Sequence, residues 1–407
     1  MRRIEWEKKM VVGGMQDQPL VVTSLIDHAA REHGSRDIVT YWTDGTIERA
    51  NWAKVHLYAR QMAQALKRLG MVKGDRIATL AMNHLHHLAS WYGVAGRGGI
   101  LHTVNPRLFD DQLVYIINHA ADRVLLFDRQ FLPIVERLRS QLSTVEHFIL
   151  FDSAPEGDML GYREWIGAED GNFQWVEVEE RAPCGLCYTS GTTGNPKGVL
   201  YLNRTNVIHA LAELQPDVFD LSARSIALPV VPMFHANAWG LPYAAAAAGA
   251  KMVFSTTNDA AILWKLIREE KVTHSAGVPT VWLSMFADMD NNGGDYGALT
   301  HVVIGGSAAP RAMIERLMQA GIKVAHAWGM TETSPIGTMG ARPFNWDDMS
   351  FQQQVDMVCK QGRVPFGVEL RTVADDDPLL PRDGKSSGRL QIRGLWILPR
   401  YFEAVVD

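Results

Sequence analysis

Cysteine is scarce in this sequence, and its scarcity excludes a disulfide framework. Only Cys184, Cys187 and Cys359 occur among 407 residues, whereas disulfide-stabilised domains carry a dense and usually even set. Cys184 and Cys187 have the C-x-x-C spacing of redox pairs and zinc half-sites, but no second such pair follows. Both lie in an apolar segment predicted to be a strand, where residues three apart point to opposite faces. We therefore expect structural thiols in a reducing, cytoplasmic compartment.

Long apolar runs and a basic excess are also missing. No run reaches the ~20 apolar residues of a membrane span, and the charged residues 1–9 are followed by no apolar segment of the signal-peptide kind. The net charge is −5, whereas a nucleic-acid binder usually presents a basic stripe. We expect no integral membrane segment, no secretory signal and no nucleic-acid partner. The composition, 47% hydrophobic, is that of a globular protein.

Short apolar runs alternate with amphipathic stretches along most of the chain, which predicts an α/β fold with mostly parallel sheets. The alternation stops near the end, where Val368–Val373 and Gly388–Arg393 are predicted strands with no helix between them. We predict two stacked α/β lobes, residues 1–180 and 181–340, and a small C-terminal β subdomain over residues 341–407. The other predicted strands are Arg76–Leu80, Ile100–Thr103, Arg123–Phe127, His147–Phe151, Leu186–Tyr188, Ile226–Val231, Lys251–Phe254 and His301–Ile304.

A glycine- and hydroxyl-rich segment with one lysine is the strongest local signal in the sequence. It follows an apolar strand, where phosphate-binding loops lie in α/β folds, and its glycines allow backbone amides to approach anionic oxygens. The Walker A motif is a poor match, because Pro196 replaces its second glycine and Gly198 replaces its Ser/Thr. A simple surface turn would not explain the lysine and the preceding strand together. The candidate phosphate-binding residues are Thr189, Ser190, Gly191, Thr192, Thr193, Gly194 and Lys197.

Three further segments follow in order: VPMFHANAW at 231–239, GGSAAP at 305–310 and WGMTET at 328–333. Together with the loop at 189–198, they resemble the signature segments of the adenylate-forming superfamily. That superfamily includes acyl-CoA synthetases, luciferases and peptide-synthetase adenylation domains. The resemblance is to the large N-terminal domain of a medium- or long-chain fatty-acyl-CoA synthetase. It implies two α/β lobes that use ATP, Mg²⁺ and CoA.

The resemblance also implies roles for individual residues. Lys197, His235, Thr331 and Glu332 would be catalytic, and Thr189 and Glu332 would hold Mg²⁺, a cation that prefers oxygen ligands. Taken alone, Thr331 could equally be a helix cap and Glu332 a surface ion-pair partner. The remaining residues implied to bind nucleotide are Gly305, Gly306, Ser307, Ala308, His326, Ala327, Trp328, Gly329 and Met330.

The acid would be bound, by the same resemblance, by His235, Trp239, Val278 and Gly306. A histidine beside apolar residues is more often a packing residue, and Trp239 could equally be part of the core. The segment at 277–282, GVPTVW, contains no aspartate that could pair with an ammonium group. This composition favours a hydrocarbon acid over an amino acid.

The predicted function is ATP- and Mg²⁺-dependent conversion of a fatty acid to an acyl-adenylate, followed by thioester formation with CoA. A ligase for a short or sulfur-containing acid, a non-catalytic nucleotide-binding scaffold and a P-loop kinase or ATPase are the alternatives. We expect only small-molecule substrates as partners, and the resemblance makes a homodimer plausible. The sequence ends at Asp407 without the "T-G-D" segment, hinge and C-terminal lid domain of the family. We therefore expect this chain alone to form acyl-CoA weakly or not at all.

Overall fold

The computed structural model describes residues 14–189, 194–376 and 378–403. Within these residues, helices cover two large, mainly parallel β-sheets, and a two-stranded antiparallel sheet lies near the C-terminal end. Most central strands are buried except at their first residue, as is typical of parallel strands with helices on both faces. The predicted α/β fold with an additional small β unit is confirmed.

The described strands agree closely with the predicted apolar runs. Strand bounds are β1 (Asp37–Tyr41), β2 (Ile47–Asn51), β3 (Arg76–Leu80), β4 (Ile100–Thr103), β5 (Asp122–Phe127), β6 (His147–Leu150), β7 (Leu160–Gly161), β8 (Pro183–Tyr188), β9 (Gly198–Leu202), β10 (Ile226–Pro229), β11 (Lys251–Ser255), β12 (His274–Gly277), β13 (His301–Ile304), β14 (Lys323–Gly329), β15 (Ile336–Met339), β16 (Val368–Val373) and β17 (Arg389–Gly394).

The helices are mostly short and amphipathic, and they join successive strands across the sheet faces. Helix bounds are α1 (Thr23–Glu32), α2 (Trp52–Arg68), α3 (Leu85–Gly96), α4 (Asp110–His119), α5 (Leu132–Leu138), α6 (Tyr162–Gly167), α7 (Asn203–Glu213), α8 (Leu241–Ala248), α9 (Ala260–Glu269), α10 (Pro279–Asn292), α11 (Arg311–Gln319) and α12 (Phe351–Val358). Helix α3 is the exception, because all of its residues are buried. It lies in the core although it carries the polar residues His86, His87 and Ser90.

The two large sheets share strands from distant parts of the chain. The seven-stranded sheet has the order β7-β6-β5-β3-β4-β8-β9, and the eight-stranded sheet has the order β15-β14-β13-β12-β10-β11-β1-β2. Strand β1 pairs in parallel with β11, so residues near the beginning of the chain complete the sheet built mostly by later residues. Sheet membership thus crosses residue 180, and the division into units 1–180 and 181–340 stays a prediction.

The strand that precedes the candidate phosphate loop is followed by another strand rather than by a helix. Strands β8 and β9 pair antiparallel, with Tyr188 opposite Gly198 at the end of the ladder. The loop therefore joins the two arms of a hairpin and has no helix N-terminus behind it. Cys184 and Cys187 are free and buried on β8. They belong to different hydrophobic clusters, as expected for opposite faces of a strand.

None of the helices in residues 14–189, 194–376 and 378–403 is both long enough and apolar enough to cross a membrane.

Candidate active site

A large cavity lies where the carboxyl ends of β13 and β14 meet the β8–β9 hairpin. Its volume is about 890 Å³, and the segment that follows β17 closes one side of it. Ligands of α/β proteins commonly bind at the carboxyl ends of parallel strands. The predicted site residues that line this cavity are Thr189, Gly194, Lys197, His235, Trp239, Gly305, Gly306, Ala327, Trp328, Gly329, Met330, Thr331 and Glu332.

The other predicted site residues lie elsewhere or are not described. Ser307 and Ala308 are exposed on the loop beyond Gly306. Val278 packs behind Gly306, since its Cγ1 lies 3.0 Å from where a Cβ on that glycine would be. Four loop residues lie outside the described part of the chain: Ser190, Gly191, Thr192 and Thr193.

The two ends of the candidate phosphate loop are held together by hydrogen bonds between Thr189 and Lys197. The amide of Thr189 donates to the carbonyl of Lys197 at 2.9 Å, and the amide of Lys197 donates to the Thr189 hydroxyl at 3.1 Å. The hydroxyl oxygen of threonine has a second lone pair, which remains available to a cation or a donor. The hairpin therefore brings Thr189 and Lys197 to the same part of the cavity wall.

A tyrosine that we did not predict stands between Lys197 and Glu332. The Tyr401 hydroxyl donates to Glu332 Oε1 at 2.6 Å, and Lys197 Nζ lies 5.0 Å from the centroid of the Tyr401 ring. The hydrogen bond to the carboxylate, followed by burial, raises the pKa of Tyr401 to about 12. The phenol therefore stays protonated at neutral pH and holds the Glu332 carboxylate by one oxygen.

Backbone hydrogen bonds tie the segment around Tyr401 to both sides of the cavity. The amide of Leu398 donates to the carbonyl of Glu332 at 2.9 Å, and the amide of Phe402 donates to the carbonyl of Gly198 at 2.8 Å. The position of Tyr401 is thus fixed by neighbours on either side of it. This arrangement joins the hairpin to the turn that carries Thr331 and Glu332.

The loop after β13 approaches the cavity without side chains. A Cβ on Gly305 would lie 3.2 Å from the Trp239 ring and 3.2 Å from the carbonyl oxygen of Ala327. Only glycine therefore leaves room for a flat ligand or an alkyl chain against bare backbone here.

Trp328 packs on Gly337, where a Cβ would lie 2.5 Å from the indole ring.

His326 supports this loop from behind. Its ring is buried; Nδ1 lies 3.2 Å from the carbonyl oxygen of Cys359, and Nε2 accepts a hydrogen bond from the amide of Ala309 at 3.3 Å. These partners require the tautomer with the proton on Nδ1. The side chain of His326 thus does not line the cavity, and a direct contact between its backbone and a nucleotide stays a prediction.

His235 lies on the cavity wall beside the positive charge of Arg107. The Arg107 guanidinium is 5.7 Å from the centroid of the Phe234 ring. His235 keeps an exposed surface on the cavity, and the protein atoms packed around it, followed by the charge of Arg107, lower its pKa. A neutral imidazole at this point can donate or accept a hydrogen bond but adds no fixed positive charge.

Trp239 is carried by a backbone turn of unusual handedness. Five consecutive residues have positive φ: Ala236 (42°), Asn237 (56°), Ala238 (47°), Trp239 (57°) and Gly240 (85°). Left-handed backbone costs roughly 1–2 kcal/mol for a residue other than glycine. Such strain persists only where the surroundings enforce it, and it is common at ligand sites. The turn sets the direction of the Trp239 ring toward the cavity.

The inner part of the cavity is apolar. Its walls are formed by buried, uncharged side chains, and apart from the Trp239 indole these carry no hydrogen-bonding group. They are Phe219, Trp239, Val303, Ile336 and Met339. A polar mouth and an apolar interior therefore belong to the same cavity. That combination suits a molecule with an ionic head and a hydrocarbon body.

Several lining residues escaped prediction because they lie in segments with no recognisable pattern. His119 Nδ1 lies 2.7 Å from the Tyr188 hydroxyl, and the His119 ring meets the Phe402 ring edge to face. Asn105 and Leu108 come from the loop after β4. The N-P-R-L sequence at 105–108, just after a buried strand, is the one local signal that could have suggested them.

Comparisons with known proteins place the chain among ligases. It is 45% identical over 402 residues to a medium-chain-fatty-acid–CoA ligase of Ectopseudomonas oleovorans, covering 97% of this chain and 74% of that protein. It is also 45% identical over 401 residues to a 3-methylmercaptopropionyl-CoA ligase of Ruegeria lacuscaerulensis, with 97% and 74% coverage.

Solved structures show the same fold. The anthranilate CoA ligase AuaEII, crystallised with anthranoyl-AMP, superposes with a TM-score of 0.85 at 22% identity, over 96% of this chain and 73% of that one. The sequence pattern of the AMP-binding enzyme family matches residues 26–402. The predicted resemblance is confirmed, and the chain belongs to the AMP-binding enzyme family.

Proposed function

We propose that this protein uses ATP and Mg²⁺ to activate a fatty acid as its acyl-adenylate and then forms the thioester with CoA. The observation that carries the proposal is the continuity of the cavity from Lys197 and Glu332 at its mouth to Phe219 and Val303 in its interior. A fatty acid has the same polarity profile, with an anionic head and an apolar tail. Membership of the AMP-binding enzyme family supports the adenylation chemistry.

In the first step, a carboxylate oxygen of the acid attacks the α-phosphorus of ATP. The bond from that phosphorus to the bridging oxygen breaks, and pyrophosphate leaves with the electron pair. Because two anions must meet, charge neutralisation and alignment provide most of the catalysis. Lys197 would neutralise the leaving phosphates, and the Thr331 hydroxyl would contact the α-phosphate.

The residues at the cavity mouth fit a magnesium ion held mainly by ATP. In the described part of the chain no three His, Cys, Asp or Glu side chains cluster as a ready-made metal site. Mg²⁺ is usually bound by one or two protein oxygens together with substrate phosphates. Glu332 has one carboxylate oxygen outside its bond with Tyr401, and Thr189 offers a hydroxyl lone pair. Bound there, the ion would neutralise charge on the reacting phosphates.

His235 is suited to orienting the acid. It lies on the wall between the polar mouth and the apolar interior, and the Arg107 charge nearby attracts a carboxylate. As a neutral imidazole it can donate one hydrogen bond to the carboxylate while Trp239 bounds the tail. Its role is therefore positioning of the nucleophile.

In the second step, the CoA thiolate attacks the acyl carbonyl carbon, and AMP leaves from the same carbon. The curated relatives named above are longer than this chain, which spans 74% of each. The expectation that the chain alone performs this step weakly stays a prediction. So do the cytoplasmic location and the homodimer.

A short sulfur-containing acid is the second candidate substrate. It is favoured by one observation, the equal identity of 45% to a medium-chain ligase and to a 3-methylmercaptopropionyl-CoA ligase. The volume of about 890 Å³ includes room for nucleotide as well as for the acid. Neither comparison therefore decides the length of the acid.

The proposal is tested by ATP–pyrophosphate exchange with a panel of acids, together with detection of the acyl-adenylate by mass spectrometry. We expect exchange with unbranched fatty acids, and a rate that rises with length until the cavity is filled, because each buried CH₂ contributes about 0.8 kcal/mol. A maximum at 3-methylmercaptopropionate would select the second candidate. Nucleotide binding with no exchange for any acid would refute the enzymatic proposal and favour a binding scaffold.

A further inference from the structure

A second, much smaller cavity lies directly behind the inner wall of the active-site cavity. Its volume is about 10 Å³, which is room for about one water-sized group. Two residues, Phe219 and Val303, line both cavities. These two side chains therefore form a wall that both spaces share.

The strand register shows that both cavities lie on one face of the eight-stranded sheet. His301, Val303 and Gly305 alternate along β13 and beyond its end, so they share that face. Gly305 lines the large cavity, Val303 lines both and His301 lines the small one. Four residues of strand span about 13 Å. The cavities are thus successive sections of one groove along the strand direction.

The floor of this groove has small side chains between its two ends. On the neighbouring strand β14, Ala327 lines the large cavity, Ala325 the small one and Lys323 the far end. Lys323 pairs in register with His301, which pairs with His274. Alanine and valine are small, and the Phe219 ring, next to Val218, lies against the space that they leave.

Phe219 is held firmly in this position. It is 3% exposed, and its amide donates to the carbonyl of Glu213, the last residue of α7, at 3.1 Å. The aromatic ring comes from the turn after that helix and not from the sheet. Its removal would therefore open the groove without changing the strands that form the floor.

The far end of the groove is polar. The rings of His274 and His301 stack with centroids 4.3 Å apart, and Asp220 lies 3.3 Å from His301 and 3.4 Å from the Lys323 ammonium. His274 is 7% exposed, and its Nε2, which lies near the backbone of Asp220, makes no hydrogen bond of good geometry among the described residues. A methyl group placed there would leave this nitrogen unpaired, whereas a hydroxyl could bond to it.

We propose that Phe219 is the residue that limits the length of the acid, by closing the groove before its polar end. The proposal rests on the proposed function for the identity of the ligand. Replacement of the ring by a methyl group should join the two cavities and admit a longer tail. At the new limit, an acid with a terminal hydroxyl should bind better than the alkyl acid of equal length.

The test compares the parent protein with Phe219→Ala and Phe219→Leu by displacement of a fluorescent fatty-acid analogue and by acid-dependent pyrophosphate exchange. An even-carbon series of saturated acids and the matching ω-hydroxy acids are the competitors. Each additional buried methylene should raise affinity about fourfold. We expect this rise to stop at a longer acid in Phe219→Ala and at an intermediate one in Phe219→Leu, with the ω-hydroxy acid preferred at the new limit.

Phe148→Ala is the matched control, because Phe148 is buried in β6 and lines neither cavity. It should change affinity for all lengths alike. An unchanged length limit in folded Phe219→Ala would overturn the inference even if exchange is normal. Conversely, a shifted binding limit without exchange would uphold the inference while refuting the proposed function. Failure of every acid to bind the parent protein would overturn both.

Discussion

At the scale of single residues, Glu332 is the side chain whose role is most directly testable. Its carboxylate is the acidic group that we propose to hold Mg²⁺, and Glu332→Gln keeps its shape while removing the charge. We expect exchange to fall on the order of a hundredfold, or about 2.7 kcal/mol in the barrier. Calorimetric titration should also show weaker binding of MgATP but not of metal-free ATP.

Glu369→Gln serves as the control for this experiment. Glu369 is an exposed residue of β16 paired with Arg393, away from the cavity. The assignment of Glu332 fails if its variant is folded and exchanges at the parent rate. It also fails if both variants lose activity to the same extent.

A second residue-scale prediction concerns the buried carboxyl of Glu213. Neither of its oxygens makes a hydrogen bond of good geometry among the described residues, although His209 Nδ1 lies 3.5 Å from Oε1, and burial raises its pKa well above 4.5. Above pH 4.5 the unfolded chain releases this proton, while the folded protein retains it. The contribution of the protonated Glu213 to the free energy of unfolding is therefore lost as pH rises from 4.5 toward the pKa of this group in the folded protein.

Glu213→Gln should consequently become more stable than the parent protein as pH increases. Urea unfolding at several values between about pH 5 and about pH 8 would measure the difference in unfolding free energy. The exposed Glu136 provides a control, since Glu136→Gln should show no such trend. A difference for Glu213→Gln that is independent of pH would contradict the burial of a protonated acid.

At the scale of elements, the backbone strain of the left-handed turn at 236–240 can be measured by comparing the same substitution in the turn and in helix α8. Ala238 has φ of 47°, Ala245 lies inside α8, and both are fully buried. Replacement of Ala238 by glycine relieves the strain of the left-handed backbone, whereas replacement of Ala245 by glycine weakens the helix. Because both changes remove one buried methyl group, Ala238→Gly should be the more stable variant by about 1–2 kcal/mol.

Thermal or urea unfolding of the two variants would provide this difference. Asn237 and Trp239 remain unaltered in both, so the cavity wall is retained. The dihedral angles of the turn indicate strain. An equal loss of stability in the two variants would contradict that strain. The fatty-acid length profile of Ala238→Gly would show whether the turn also fixes Trp239.

Many elements were predictable from local sequence, whereas their partners were not. The apolar runs at Arg76–Leu80 and Val368–Val373 match β3 and β16 to the residue. The pairing of Ile38 with Met252 was not predictable, because it joins residues far apart in sequence and leaves no local signature. Strand β9 was not predicted, because its five residues directly follow the glycine-rich loop and give little periodic signal of their own.

The candidate site was predictable only where a motif marked it. Lys197, Trp239 and Glu332 lie in such motifs and line the cavity. Tyr401 lies 69 residues after Glu332 and has no motif around it. Phe219 lies in a turn whose sequence indicates only a connection between elements. Residues brought to a site by tertiary packing alone carry no periodic signal.

At the scale of the whole molecule, buried histidines dominate the expected response to acid. Burial lowers the pKa of four of them, to about 4 for His86 and His274 and to about 3 for His87 and His209. As pH falls below 6.5, these four rings take up protons in the unfolded chain before they do so in the folded protein. Stability is therefore lost progressively as pH decreases from 6.5 toward 3.

The measurement is the free energy of unfolding between about pH 7 and about pH 5, with the slope reporting protons bound on unfolding. We expect a steep fall, and a smaller slope for a folded His87→Gln variant. His147→Gln, at a less buried position, should leave the slope closer to that of the parent. Constant stability across this range would contradict neutral burial of these rings.

The closure of the phosphate loop by its own hairpin has a consequence for evolution and engineering. The ladder of β8 and β9 and the pair formed by Thr189 and Lys197 fix the spacing of the loop ends independently of what lies between them. The spacing between Thr189 and Lys197 is thus set by the hairpin and not by the sequence of the loop. Loops of equal length from other family members should be interchangeable here without renewed adaptation of the core, so nucleotide preference can diverge while the scaffold is inherited intact.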